Sequence, residues 1–386
     1  VIPIQYNIRS LAVRRATLAM TAIGIGLVSM IMLILFGFID GMEHTVTSAG
    51  SSGAWIVLVR GAPGEGGFIN KEQYDIIRAR SELGTDSSGT PLMSPELVTG
   101  FDPAPDEALA KFFLIRGVRP IAYRVHRNLR VVAGRWPSPS SAEWAVGDKL
   151  AALYPNLTPP NEFHFGHRMW KVVGIFSDAG SARESEAFAD LDVLAQDAHI
   201  QGAGYNSIHI ILKPGEAASF QAALTNDSRL RVEAKTEAAY YEKVAQFAEQ
   251  FRAMGLAVAV ILGIGALFGG MNTMYSAVAR RTREIGVLRT LGFSRGDILA
   301  SFLVEGAMIG FLGAASGEII GLVVSASLGL NSRLLHVGQL IFSFRLSLAA
   351  LTAGVISGIM IGVLGALLPA WHAARLRVVD SLRAAA

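Results

Sequence analysis

MNTMYSAVARRTREIGVLRTLGFSRGDILASFLVEGAMIGFLGAASGEIIG, Met271–Gly321, contains the whole plan of the chain in miniature. It starts in the last turns of a long uncharged run, Met254–Ala279. It then becomes basic at Arg280, Arg281, Arg283, Arg289 and Arg295, and turns apolar again at Ile298. A bilayer core takes about 20 apolar residues of helix, so the stretch reads as two membrane spans joined by a short basic loop. Within the loop, Arg280–Leu291 can form one short helix, with Ile285 and Leu288 on one side and Arg281, Glu284 and Arg289 more exposed. Gly292 suits the left-handed position that stops a helix. Ser294 with Asp297 three residues on is a capping pair that starts the next one. A short capped helix with both charge and apolar surface is suited to docking on a cytoplasmic partner, and its arginines suit an anionic lipid surface as well.

The span that follows, Ile298–Leu330, contains two carboxylates, Glu305 and Glu318. An ionised carboxylate facing lipid is costly. Glu318, roughly 20 Å beyond Glu305 along a helix, is therefore expected to face the helix bundle or a dimer interface, or to stay protonated. Reaching outer interfacial water is the plain alternative. Gly310, Gly313, Gly317 and Gly321 recur at intervals of three and four, a pattern that lets another helix approach closely.

Working outward, two more segments are long enough to span: Thr17–Ile39, and Leu346–Leu368, which Pro369 is expected to close. The first is too long for the apolar core of a cleaved signal peptide, and no clear A-x-A site follows it. Arginines cluster before span one (Arg9, Arg14, Arg15), between spans two and three, and after span four (Arg375, Arg377, Arg383). By the positive-inside rule these segments share the cytoplasmic side, and the stretch from about Gly41 to Arg252 lies outside. Charge agrees: Asp40–Ala253 carries 21 Lys/Arg against 26 Asp/Glu, and the remainder carries 13 against 5.

The outer stretch reads as a folded α+β domain. AWIVLV (Ala54–Val59), FFLI (Phe112–Ile115), LRVVA (Leu129–Ala133), WKVVGIF (Trp170–Phe176) and SIHIIL (Ser207–Leu212) look like strands. Lys71–Leu83 and Glu216–Thr225 look like helices, and GAPGEGG (Gly61–Gly67) and PSPSS (Pro137–Ser141) look like surface loops. The run Ile208–Val232 is expected to pair back with Ala54–Gly117, leaving about 118–204 as an inserted subdomain. Tyr240, Val244, Phe247, Phe251 and Met254 mark one face of a stem helix leading into span two.

Composition limits the function classes. At 51% hydrophobic and 17% charged, the chain falls short of the roughly 25% charge of soluble proteins. Basic residues flank apolar segments instead of gathering on a soluble face, which argues against nucleic acid. With no cysteine there is no disulfide, thiol nucleophile or cysteine metal site. GAPGEGG lacks the Lys-Ser/Thr of a phosphate-binding loop. His164 and His167 form an H-x-x-H pair that nothing nearby completes as a metal site. Asn156–Thr158 fits a glycosylation sequon, too short a pattern to carry weight. No catalytic grouping, metal site or bound cofactor is expected.

M-N-x-M (Met271–Met274), R-T-R-E-I-G (Arg281–Gly286), L-G (Leu291–Gly292), Glu305 and the tail PAWHAARLRVVDSLR (Pro369–Arg383) resemble the C-terminal permease region of MacB/FtsX/LolC-type ABC transporter proteins. The opening Asn7–Leu27 resembles their first span. WKVVGIF and Gly180–Asp192 resemble their extracytoplasmic domain more loosely. The resemblance implies a membrane protein of four transmembrane α-helices, with a large α+β extracytoplasmic domain inserted between helices 1 and 2. It implies that Arg281, Glu284, Ile285, Leu288 and Arg289 belong to a coupling helix that meets an ABC ATPase. Without a fused ATPase the chain looks more like FtsX or LolC than MacB, so a separate ATPase subunit in two copies is expected, using the ATP and Mg2+. Its ectodomain is large for FtsX.

Other implied partners are a second permease copy or paralogue, a periplasmic adaptor and membrane lipid. The implied location is the bacterial inner membrane, with both termini cytoplasmic. The implied function is non-catalytic: ATP-driven movement of the outer domain for export or extraction of a substrate. The alternative is a membrane-anchored regulator that activates a partner such as a cell-wall hydrolase. The expected divisions are 1–40 (tail and span one), 41–235 (outer domain), 236–279 (stem and span two), 280–297 (coupling helix), 298–330 (span three), 331–345 (outer loop), 346–368 (span four) and 369–386 (tail).

Overall fold

The computed structural model describes residues 15–48, 53–101, 112–330, 333–337 and 340–376. In chain order the elements are α1 (Arg15–Ser48), β1 (Trp55–Val59), α2 (Lys71–Arg78), β2 (Met93–Phe101), β3 (Phe113–Val118), α3 (Ala122–Val125), β4 (Arg130–Gly134) and β5 (Glu143–Gly147). Then come α4 (Asp148–Leu153), β6 (Glu162–Phe165), β7 (Arg168–Ser177), β8 (Glu186–Asp190), α5 (Leu191–Asp197), β9 (Ser207–Ile210), α6 (Ala217–Asn226) and β10 (Val232–Thr236). The chain continues through α7 (Glu237–Arg280), α8 (Thr282–Thr290), α9 (Arg295–Ser327), β11 (Leu334–Val337), β12 (Leu340–Ser343) and α10 (Leu348–Ala374). The basic lead-in with Arg9 and Arg14, the tail with Arg377 and Arg383, and the Val244 and Phe247 side chains of the expected stem face lie outside the described residues.

The chain divides into two compact units. One comprises Val1–Asp40, Gln250–Ser332 and Phe344–Ala386; the other comprises Gly41–Glu249 and Arg333–Ser343.

The first unit is helical. Among the described residues four helices, α1, α7, α9 and α10, are long and apolar enough to cross a membrane. Side-chain caps set two of their starts: Ser294 accepts from Asp297 N at 3.1 Å before α9, and Ser347 accepts from Ala350 N at 3.0 Å before α10. Pro369 does not end the fourth span, because α10 continues through it to Ala374. A proline removes its own N–H bond, but packed membrane helices tolerate that loss, and Pro369, Ala370, Ala373 and Ala374 are all buried. Met254, Val260, Ile261, Ile264 and Phe268 of α7 are exposed, as side chains on a lipid-facing surface are.

The second unit is built on one sheet with strand order β10-β1-β9-β2-β3-β8-β5-β7-β4, and β6 pairs with β7. Two pairings are parallel, β3 with β8 and β5 with β7; the others are antiparallel. Strands β1, β9 and β10, late and early in sequence, lie together on one side of β2, and β4, β5, β7 and β8 lie beyond β3. The expected helix Lys71–Leu83 ends at Arg78, and β2, β5, β6 and β8 carry no strand-like run that stands out in the sequence. Alternation along the strands buries one face as two apolar clusters. Val57, Met93, Ile208, Ile210 and Val232 pack with Ile77 of α2 and Phe220 of α6. Phe113, Ile115, Trp144, Val146, Trp170 and Ala187 pack with Leu150 of α4 and Leu194 of α5. The loop after span three is not bare: β11 and β12 form a hairpin whose Ile341 joins the second cluster and donates its N–H to Ser185 Oγ at 2.9 Å.

Candidate functional site

The loop that opened the sequence reading folds as α8, separated from α7 by a single residue, Arg281. Ile285 is buried and Leu288 half-buried, packed with Met274, Val278, Ile298, Phe302, Ala373 and Ala374. Gly292 has φ +97°, the left-handed stop that its position calls for. Arg289 Nη1 donates to Phe293 O at 3.0 Å and holds the turn into α9. On the outer side, Val287 and Leu291 are 44% and 71% exposed, and the Glu284 side chain is 60% exposed.

Arg281 departs from expectation. It is buried, and its Nη1 donates to Glu305 Oε2 at 2.9 Å. The expected exposed face treated Arg280–Leu291 as one helix, whereas Arg281 is the turn between two, so helical periodicity does not place it. Glu305 is buried in α9. The pair ties the start of α8 to the middle helix of the bundle, and removing either partner would strip a buried charge of its short ion pair, at a cost of about 3 kcal/mol.

The glycines of α9 serve two neighbours. A side chain at Gly313 or Gly317 would run into the backbone of Ala22 or Gly26 of α1, and one at Gly321 would press on Met30 and Leu33. Gly310, with Gly306, instead lies against Gly358 and Gly362 of α10. Small residues are thus used where backbones of the same chain meet. Glu318 lies in this packed region: it is buried, it accepts from Ser29 Oγ of α1 at 3.4 Å, and a side chain at Gly354 of α10 would collide with it.

The largest polar constellation is in the sheet unit, and sequence reasoning missed it. Strand register places Ser94 of β2 beside His209 of β9, Glu96 beside Ser207, and Arg116 of β3 beside Phe188 of β8. Glu96, Arg116, Glu186 and His209 therefore form a polar row on the sheet face opposite the two apolar clusters. Arg116 bonds Glu186 (2.6 Å), Glu96 (3.0 Å) and Glu65 (2.8 Å). Glu65 belongs to GAPGEGG, so this expected surface loop turns one side chain inward. Arg183 bonds Glu237 at 2.7 Å and Asp178 at 3.1 Å. His126 Nε2 lies 2.7 Å from Glu96, and His209 Nδ1 lies 2.6 Å from Glu237.

Burial opposes the charged form of Glu65, Glu186, Glu237, His126 and His209, and their partners overcome it at some of them and not at others. For His209, burial is outweighed by Glu96, Glu237 and Glu65, which push it up to about 9. For His126, burial and Arg183 prevail over Glu96 and lower it. Burial is overcome at Glu65 by Arg116 and at Glu237 by Arg183, and both carboxyls lie well below the usual range. At Glu186 burial prevails, and its carboxyl is raised. The H-x-x-H pair takes no part: His164 and His167 are exposed, and His167 Nε2 lies 2.7 Å from His199 Nε2. The signal that could have found the cluster is a polar residue set inside an otherwise buried strand run: Ser94 and Glu96, Arg116, Glu186, and Ser207 and His209.

Comparison with known proteins gives two matches along the chain. Residues 16–227 match the description MacB-like periplasmic core domain, and residues 256–378 match FtsX-like permease C-terminal. The macrolide export ATP-binding/permease protein MacB of Nitrosomonas europaea is 26% identical over 396 residues, covering 95% of this chain and 56% of that one. MacB of Nitrobacter winogradskyi is 36% identical over 137 residues, covering 35% of this chain and 20% of its own. The pyoverdine export ATP-binding/permease protein PvdT of Pseudomonas putida is 30% identical over 223 residues, covering 56% and 28%. The chain spans about half the length of these relatives, or less.

Proposed function

Because this chain belongs to the FtsX-like ABC transporter permeases that carry a MacB-like periplasmic core domain, we propose that it converts ATP hydrolysis by an ABC ATPase into movement of that domain. The observation that carries this reading is the seating of α8. Its inner side is fixed by Ile285 and by the Arg281–Glu305 pair, and its outer side offers Glu284, Val287 and Leu291. The ATPase docks on that outer side and uses the ATP and Mg2+; the chain itself performs no hydrolysis. A push on α8 passes through Arg281 to Glu305 and so to α9. Glycine contacts with α1 and α10 make α9 move with its neighbours, because close-packed backbones do not slide without clash. Two copies of the chain work with two ATPase domains. Both termini and α8 face the cytoplasm, as the arginine distribution supports. Relatives named for macrolide and pyoverdine export make export of a small natural product from the outer side the substrate class assigned here.

The test is to dock and to uncouple. Val287→Pro costs about 3 kcal/mol in a helix interior, and Glu284→Arg reverses an exposed charge. Both should still insert in the membrane, because no span is touched, while co-purification of the ATPase and permease-stimulated hydrolysis fall at least about tenfold, the equivalent of about 1.4 kcal/mol. Normal ATPase binding and stimulation in both variants would overturn the assignment of α8.

A further inference from the structure

Within the ion-pair network, the Glu96, His126 and His209 side chains have the composition and spacing of a metal-ligand set. One ligand atom from each lies within 4.8 Å of the other two, and all three residues are no more than 1% exposed. His126 Nε2 stands 2.7 Å from Glu96 Oε1, and His209 Nε2 stands 3.5 Å from Oε2 of the same carboxylate. Both imidazoles thus aim one nitrogen at a single carboxylate. The outer nitrogen of His209 is held by Glu237 at 2.6 Å, the arrangement in which a carboxylate orients a metal-binding histidine from behind. The outer nitrogen of His126 is buried with no hydrogen-bond partner, and its nearest acceptor, Glu237 Oε1, is 3.6 Å away. Carboxylates outnumber cations here: Glu65, Glu96, Asp178, Glu186 and Glu237 are linked to Arg116, Arg183 and His209.

We propose that Glu96, His126 and His209 are the protein ligands of a structural site for one divalent transition cation of the zinc type. Two imidazoles and a carboxylate suit zinc and exclude the all-oxygen preference of calcium and magnesium. Ligand atoms about 2.0–2.1 Å from a tetrahedral ion stand roughly 3.3 Å apart, so Glu96 and His126 part by roughly half an ångström on binding. The ion joins β2, β9 and the turn after α3; it takes the place of the proton on His209 and adds one unit of positive charge to a face rich in carboxylates. Three protein ligands leave one tetrahedral position to a small ligand such as water, and complete burial keeps a substrate from it, so the role is structural.

The experiment uses the full chain in detergent, purified through a tag without histidine, loaded with Zn2+ and desalted. The expected result is about one zinc per chain by mass spectrometry, and a thermal midpoint that rises with Zn2+ and falls with chelator. His126→Gln should abolish retention and the Zn2+-dependent rise. His199→Gln, which dismantles the exposed His167–His199 pair, should leave both unchanged. Co2+ should give the visible absorption of a tetrahedral site in the wild-type chain, a readout that does not depend on any variant folding. Zinc retention equal in wild type and His126→Gln, zinc lost on His199→Gln, or wild type without the Co2+ spectrum would each overturn the site and leave the cluster as a proton-bridged ion cage.

Discussion

The two units bury charge in opposite ways. Among the described residues the membrane unit buries few charged groups, each with a small partner set: Arg281 with Glu305 and Glu284, and Glu318 with Ser29. The sheet unit gathers five carboxylates, two arginines and two histidines behind a single sheet face. Helix geometry explains the first case. A residue on a packed helix meets one neighbour at a time, and between glycine-lined backbones there is room for little more than one side chain. Sheet geometry explains the second. Neighbouring strands lie about 4.8 Å apart, so a polar residue at the same level on several adjacent strands becomes a row, and whatever covers that row must satisfy it as a whole. The two arrangements differ in cooperativity: a pair can be deleted as a pair, whereas a row cannot.

That contrast sets the largest expected effect. Arg116→Met leaves Glu65, Glu96 and Glu186 without their shared partner, a loss of roughly 3–5 kcal/mol or more. The sheet unit should lose its cooperative thermal transition, and no single second substitution should restore it. Glu305→Leu leaves Arg281 the looser contact with the exposed Glu284 side chain at 3.8 Å and should cost about 3 kcal/mol, but Arg281→Met combined with Glu305→Leu should recover most of the melting temperature while ATPase stimulation stays low. Full recovery of stimulation in the double variant would mean that the pair holds structure without transmitting motion. A smaller effect tests the local rule alone: Ser294→Ala removes the cap of α9 and should lower stability by about 1 kcal/mol, with ATPase docking unchanged.

The smallest effect is a pH dependence at the edge of the sheet unit. Burial, aided by Glu184, pushes Asp148 up to about 6 from 3.8. The folded state therefore holds this proton more tightly than the unfolded chain does. The stabilisation is complete below about pH 4 and is lost as pH rises through 6. Asp148→Asn should flatten the melting temperature between these limits, and an unchanged slope would remove Asp148 as its source.

The sequence by itself determined the four spans, the stop at Gly292 and the cap at Ser294. These depend on run length and on neighbours within one turn, and a bilayer or a helix end imposes the same requirement in any fold. It also gave the strongly apolar strands, such as Trp55–Val59 and Ser207–Ile210. The tertiary structure alone decided the burial of Arg281, the division of the α9 glycines between α1 and α10, and the continuation of α10 through Pro369. Each depends on which element lies opposite, which the local pattern does not encode. The clearest case is the polar row. The polar residues in SIHI and EAFAD state only that part of one sheet face is polar, and a polar face is ordinarily wet. Only the loop carrying Glu65, the turn at His126 and the first turn of α7 at Glu237, brought from distant parts of the chain, close it off from water and turn a hydrophilic stripe into a buried charge network.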